Sequence, residues 1–465
     1  MRYCKFILLL LSAAVFTASC SEQSKLVSLK DANPAIGLGE PLSMVESPPA
    51  GNSDISEIAE PSSVITLRQA LALALIHNPG LKAFSWEVRA TEARQLQAGL
   101  WPNPGLEVEV EEVGGPGQRS GFDGAQTTIQ LSQLIEMGEK RSKRIKLASF
   151  EKELVGWDYE AKRLDVLTKV VKGFVEVLAA QQRRKLTEEL LQLSEELVDT
   201  VTKRVDAGKD SPLEKTKATV ALSNISIQHQ QALQNLDFAR RQLASTWASK
   251  EPMFEGAVGQ FDLLSPIPSI GELTDLIAKN PDVVRLSIEI EKNKAALELE
   301  KAKAVSDITL SGGMQRFNET DDNAIVFGIS IPLPISDRNQ AGKLQATYEL
   351  AKAREEKKAT LTRIQTELAK AYQAVSNAYT EASELDKNIL QEAESVFEAS
   401  KTGYNRGKLD YLNVLDAQRT MFDAKAQYID ALASYHIAKA DVERLIGQNL
   451  DGIENSPETK TEKSK

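Results

Sequence analysis

From Leu361 onward the apolar residues fall at Leu361, Ile364, Leu368, Ala371, Val375, Ala378, Ala382, Leu385, Ile389, Val396 and Ala399, a three–four alternation that only Glu392 interrupts. A repeat near 3.5 residues held over this many turns specifies a helix that supercoils left-handedly around a neighbour. The helical run begins near Asp337 and ends at Asn405, a rod of about 100 Å at the α-helical rise. Gly407 then reverses the chain into a second helix that returns to Gly447. An ordinary globular domain cannot house such rods.

The same device occurs earlier. Glu139 to Asp206 is a second long helical run, with Leu186, Leu190, Leu193, Leu197 and Val201 on one stripe, and it reverses at Gly208-Lys209-Asp210-Ser211-Pro212. The later reversal is Gly407-Lys408-Leu409-Asp410-Tyr411. In both, glycine suits the left-handed position that ends the incoming helix, and Ser211 or Asp410 caps the outgoing one. Upstream, capping boxes at Thr66–Gln69 and Ser269–Glu272 each precede an Asn-Pro step, Asn78-Pro79 and Asn280-Pro281, that restarts the helix. The chain is therefore a duplicated helical hairpin, with repeats over 65–250 and 269–450 and a connector at 251–268. The connector contains Pro and Gly and is expected to lie outside the bundle. Helices 212–249 and 281–304, end to end, match the length of one long helix.

Between the helices lie the only strand-like segments. Leu106 to Glu111 and Thr127 to Ser132 alternate apolar and polar residues, as do Ile308 to Ser311 and Ile325 to Ile331. Strands are expected over 105–112, 125–135, 308–317 and 324–333, paired as hairpins across polar loops. Each has one oily and one wet face, which suits either a protein core beneath a sheet or lipid outside a water-filled barrel. Four strands cannot close a barrel, so other copies of the chain must complete it; eight, twelve or sixteen strands would all close.

Residues 1–19 join the basic start Arg2 to Lys5 to the apolar run Phe6 to Phe16, as a secretory signal does. The run ends in Thr17-Ala18-Ser19-Cys20, which resembles a lipobox with Thr17 in place of the usual leucine. Cys20 is accordingly the expected lipidation site, and Ser21 after it suits sorting to the outer membrane. Cleavage removes Arg2 and Lys5, taking the net charge from −10 to about −12 and disfavouring nucleic acid as a partner. With Cys4 lost and Cys20 acylated, no intrachain disulfide is available. Residues 20–64 read as an extended tether and 451–465 as a polar tail. Later segments lack the length of apolar sequence for a spanning helix, so a membrane crossing must use strands.

This order of features resembles the TolC-like outer-membrane efflux family over residues 65–447, most sharply at Gly403-Tyr404-Asn405-Arg406-Gly407-Lys408-Leu409-Asp410-Tyr411-Leu412-Asn413-Val414-Leu415-Asp416-Ala417-Gln418-Arg419. Pro102-Asn103-Pro104 and Pro332-Leu333-Pro334-Ile335-Ser336-Asp337-Arg338-Asn339-Gln340 look like its cation-exporting branch. The resemblance implies a mainly α fold with a small β part. In it, a homotrimer shares a transmembrane β-barrel, and the duplicated coiled-coil hairpins form a periplasmic α-barrel. It implies a channel in the outer-membrane lipid, partnered by a periplasmic adaptor (membrane fusion) protein and an inner-membrane pump of the resistance-nodulation-division class. Heavy-metal cations would be the cargo, with drugs or other organic compounds the alternative.

The resemblance also assigns residues. Tyr404 and Asp416 match the family's gating pattern, whereas Leu409 and Asn413 replace charged members, so the lock is expected to use Tyr404, Asn413, and Arg406 or Lys408 reaching Asp416. Gly208, Lys209, Asp210, Ser211, Gly407, Leu409 and Asp410 would be adaptor-docking tips. Glu107, Glu109 and Glu111 would line the lumen if Leu106, Val108 and Val110 face lipid, concentrating cations there; solvated residues at a strand end are the plain alternative. Trp101, Phe122, Phe317 and Phe327 are candidates for an interfacial girdle. No enzyme chemistry is expected. His77, His229 and His436 lie far apart without cysteine partners, so no resident metal or other cofactor is expected. A periplasmic adaptor lipoprotein would have one hairpin plus compact β domains, and a purely structural coiled coil would lack the strands.

Overall fold

The computed structural model describes residues 60–450; Cys20, most of the tether and the tail lie outside the described residues. A short strand β1 (Val64–Thr66) leads into helix α1 (Leu67–His77) and, past the Asn78-Pro79 step, α2 (Pro79–Ala98). Strands β2 (Gly105–Glu111) and β3 (Gln126–Ile135) precede the long α3 (Lys140–Asp206), and α4 (Pro212–Ala244) returns. After β4 (Gly256–Val258) the pattern repeats: α5 (Ile270–Leu276), α6 (Pro281–Lys303), β5 (Ile308–Phe317), β6 (Asp322–Ser330), α7 (Gln340–Glu384), α8 (Leu390–Asn405) and α9 (Tyr411–Ile446).

The local signals act as expected. Thr66 and Ser269 close capping boxes with Gln69 and Glu272. Asn78 and Asn280 each cap the helix that the following proline starts, and each side-chain amide also reaches the end of its own repeat's returning helix. Asn78 Nδ2 donates to the Thr246 carbonyl, and Asn280 Nδ2 to those of Arg444 and Leu445. One residue type thus starts a helix and ties the two ends of the repeat together.

The four longer strands form one antiparallel sheet in the order β2-β3-β5-β6. Its register puts Leu106, Val108 and Val110 beside Ile129 and Leu131, then Met314 and Leu310, then Ile325, Phe327 and Ile329. Most of this face is exposed, Phe327 at 86 %. The opposite face carries Glu107, Glu109, Glu111, Gln126, Thr128, Gln130 and Gln315. At Gly313 an added Cβ would lie 2.2 Å from the Ile129 carbonyl, so only glycine lets β5 approach β3 this closely. Among the described residues neither edge, β2 or β6, has a further partner strand.

The helices follow the same order. Next to the sheet, α2, α3, α6 and α7 pack in sequence around the body; toward the reversals the order is α4, α3, α9, α8. The flanking helices carry exposed apolar residues: Trp86 and Leu96 on α2, Leu213, Val220 and Ile227 on α4, Tyr348 on α7 and Val396 on α8.

Two expectations need correction. The connector does not stand clear of the bundle: β4 pairs in parallel with β1, Gln181 hydrogen-bonds both backbone groups of Ala257, and Phe254 and Phe261 are buried. Glu60, assigned to the tether, accepts from Trp247 Nε1 and the Met253 amide, so the tether's last residues belong to the body. Apolar side chains in short segments can pack without announcing a period. The second correction concerns the long helix of the second repeat, which is not uniform: a π turn, Leu385–Ile389, separates α7 from α8. Above it the expected stripe is buried at Ile364, Leu368, Val375, Ala378, Ala382 and Leu385. Below it Ile389 and Val396 are exposed, and Ala393, Phe397 and Tyr404 are buried instead. The extra residue of the π turn moves the inward face by one position.

Candidate functional site

The two reversals end side by side and share one backbone design. Gly208 and Gly407 have φ of 71° and 72°. Their amides donate to Val205 and Tyr404, and the next amides, Lys209 and Lys408, donate to Arg204 and Gly403, as in a Schellman cap. Ser211 and Asp410 then accept from the amides of Leu213 and Asn413 to start the returning helices.

The side chains across this shared frame differ. In the first reversal Arg204 Nε and Nη2 bind Asp210 at 2.7 and 2.9 Å, closing the tip with a bidentate pair. At the equivalent second-hairpin positions stand Gly403 and Leu409, and the Leu409 side chain folds over the glycine: a Cβ at Gly403 would meet Leu409 Cδ1 at 2.7 Å. The hairpins are joined by Tyr404, whose hydroxyl donates to Asp210 Oδ2 at 2.7 Å. Arg204 also donates to the Tyr404 carbonyl and stacks 4.5 Å from its ring centre, while Tyr411 meets the ring edge-on. Tyr404 is 1 % exposed and belongs to one buried cluster with Leu197, Val201, Phe397, Val414 and Met421.

The electrostatics follow from this packing. Hydrogen bonds from Arg204, and secondarily from Tyr404, hold the Asp210 carboxyl below the usual carboxylate range. Burial, reinforced by Asp210, pushes the Tyr404 phenol well up, so it is a neutral donor at every physiological pH. Burial also raises Glu214, with Asp210 and Asp410 adding like-charge repulsion. A donor, a carboxylate and a guanidinium thus form a small polar clasp under apolar cover.

The clasp only partly matches the residues expected from sequence. Tyr404 is central, but its partner is Asp210 of the first hairpin. Asp210 is not displayed for docking, since its side chain is 8 % exposed. Asn413 serves the cap at Asp410, and Asp416 lies on an open groove with Asp410, Asn413 and Arg419. Among the described residues no ion pair joins Arg406 or Lys408 to Asp416, since within the chain the Schellman turn leaves both cations on the exposed side of the tip. Gly208, Lys209, Ser211, Gly407, Leu409 and Asp410 are exposed. Arg204 escaped the sequence reading; its spacing of six from Asp210 across a reversal was the available signal.

Of the other candidate residues, Glu107 accepts from Gln130 Nε2 at 2.8 Å, and Glu109 and Glu111 stand opposite Thr128 and Gln126 on the polar sheet face. Trp101 is exposed beneath Arg141, Phe122 lies in the β2–β3 loop, Phe327 is in mid-strand on the apolar face, and Phe317 ends β5 on the polar face. The histidines remain apart: His229 Nδ1 meets Thr187 Oγ1, and His436 Nε2 meets the Phe261 carbonyl.

Comparison with known proteins agrees with this architecture. The cobalt-zinc-cadmium resistance protein CzcC of Cupriavidus metallidurans is 33 % identical over 389 residues, covering 84 % of this chain and 91 % of the relative. The nickel and cobalt resistance protein CnrC of the same organism is 26 % identical over 62 % of this chain and 67 % of its own length. A solved structure described as CusC, reporting conformational changes that accompany folding and transmembrane channel formation, superposes with a TM-score of 0.70 at 17 % identity, covering 82 % of this chain and 92 % of that one. The family described as "OEP: Outer membrane efflux protein" matches residues 70–249 and 273–448. With both repeats matched, this chain belongs to the outer membrane efflux protein family.

Proposed function

We propose that this protein is the outer-membrane channel of a tripartite pump of the resistance-nodulation-division class, and that its cargo is heavy-metal cations. The observation that carries the cargo is the 33 % identity, along nearly the whole folded body, with a protein named for cobalt, zinc and cadmium resistance. The channel is a passive conduit: selection falls to the pump, and the chain contributes a wall.

The free edges support a ring. In sheet, upper helices and lower helices alike, one side of the chain ends in β2, α2 and α4 and the other in β6, α7 and α8. Head-to-tail contacts satisfy all three layers at once and close into a cycle. Three copies would give a twelve-stranded barrel with its apolar face toward lipid, where unpaired strand edges are not tolerated. The Glu107, Glu109 and Glu111 ladder then lines the lumen and raises local cation concentration. Cys20 supplies a lipid anchor, and the exposed parts of the two tips receive the adaptor. The Tyr404–Asp210–Arg204 clasp holds the inner end shut.

The test is export. Expressed with its own pump and adaptor in a metal-sensitive host, the chain should restore growth on zinc, cobalt or cadmium. Restored resistance to organic compounds alone refutes the metal cargo and keeps the conduit.

A further inference from the structure

The second hairpin contains a helix interruption that the first lacks. Helix α3 runs from Lys140 to Asp206 without a break, whereas its counterpart changes to π geometry over Leu385–Ile389. A π turn holds one residue more than the α-helical turn it replaces, and such turns are frequent at functional sites and at helix kinks.

Its position falls between two cores. Leu385 belongs to the cluster that includes Phe174, Leu178, Ile429 and Leu432, and Leu390 to the tip cluster around Tyr404. Asp386, Lys387, Asn388 and Ile389 are exposed. Above the turn the helix is fixed by the first cluster. Below it, α8 packs on α9, and its last turn is held to the first hairpin by Tyr404.

The sequence around the turn carries two apolar stripes. The π turn directs Leu390, Ala393, Phe397 and Tyr404 inward. Continued α-helix from Leu385 would direct Ile389, Val396 and Gly403 inward instead. The two settings differ by one residue, a rotation of about 100° about the helix axis. That rotation carries the Tyr404 hydroxyl off Asp210.

We propose that the π turn is a rotary hinge: the clasped tip has the extra residue at Leu385–Ile389, and opening returns the turn to α geometry while α8 rotates by one position. The inference rests on the reading of Tyr404 and Asp210 as a gate and names the element that moves when they part. The second setting turns Ile389 and Val396 inward in place of Leu390 and Phe397, with Glu392 interrupting its stripe, so the clasped setting has the larger apolar face.

Deleting Asn388 tests it. The deletion leaves Leu385, Leu390, Ala393, Phe397 and Tyr404 in uninterrupted three–four spacing, so the tip should fold and clasp without a π turn and lack the second setting. In planar bilayers Tyr404→Phe in the parent chain should raise resting conductance several-fold, and in the deletion background that rise should fall at least fivefold, with detergent-resistant oligomers retained. An equal rise in both backgrounds overturns the hinge and keeps the gate. No rise in the parent overturns the gate and the hinge with it. If the deletion prevents assembly, maleimide labelling of Ala393→Cys decides. That site is buried in the clasped setting, so its labelling should quicken at least tenfold when Tyr404→Phe opens the tip, and an unchanged rate in a leaky channel overturns the hinge.

Discussion

The two hairpin tips have the same backbone and opposite chemistry. Gly208 and Gly407 adopt the same left-handed turn with the same pair of amide bonds, yet four residues before and two after each glycine stand Arg204 and Asp210 in one tip and Gly403 and Leu409 in the other. The first tip is self-sufficient, its cation and anion fixed on each other. The second closes by apolar contact and reaches across through Tyr404. Duplication supplied two matching reversals, and divergence at three positions, with Tyr404 standing where the first tip has Val205, gave one tip, the anchor, an internal ion pair and the other, the latch, a hydrogen bond across the hairpins. The contrast extends up the rods, since only the latch helix has a π turn.

Breaking the anchor should have the largest effect. Arg204→Ala removes both bonds to Asp210, the bond to the Tyr404 carbonyl and the stacked contact, and leaves Asp210 without its cation. The expected loss is about 2 to 3 kcal/mol per subunit, seen as the greatest rise in resting bilayer conductance; Arg406→Ala, its neighbour on the latch, should leave conductance unchanged.

Acid should act on the same bond. Arg204 holds Asp210 below the ordinary carboxylate range, so the clasp's contribution is complete above that range and is lost as pH falls through the lowered value. Resting conductance should therefore stay flat through neutral pH and rise only in strong acid. A rise centred near neutrality would mean another group holds the tip.

The shared backbone sharpens the comparison from the other side. Nothing lies within 4 Å of a Cβ built at Gly208 or Gly407, so alanine at either costs only the left-handed conformation, about 1 to 2 kcal/mol. The thermal destabilisation of the two variants should be equal, and a clear inequality would show that the tips differ in more than side chains.

Smaller effects belong to the latch. Tyr404→Phe deletes one hydrogen bond while keeping the packed ring, about 1 kcal/mol, and should leak less than Arg204→Ala. Asp416→Ala should change resting conductance by less than twofold, because its side chain lies on an open groove away from the clasp.

Periodicity, caps and turn chemistry specified most of this fold. The heptad stripes set the rods, glycine at the left-handed position placed the reversals, the Asn-Pro steps placed the restarts, and period-two alternation marked all four sheet strands. These are local rules, each satisfied by residues a few positions apart. The pairing of β1 with β4, the seating of Phe254 and Phe261, and the partner of Tyr404 join residues far apart in the chain, so no local pattern could announce them. The π turn is the sharpest case. The sequence holds two stripes below Leu385, one interrupted by Glu392 and one reached only through a π turn, and packing against α9 and Asp210 selected the one ending in Tyr404. Sequence by itself determined the elements and their duplication; tertiary structure decided which faces meet, because a helix fixes the spacing of its side chains and leaves its rotation about its own axis to its neighbours.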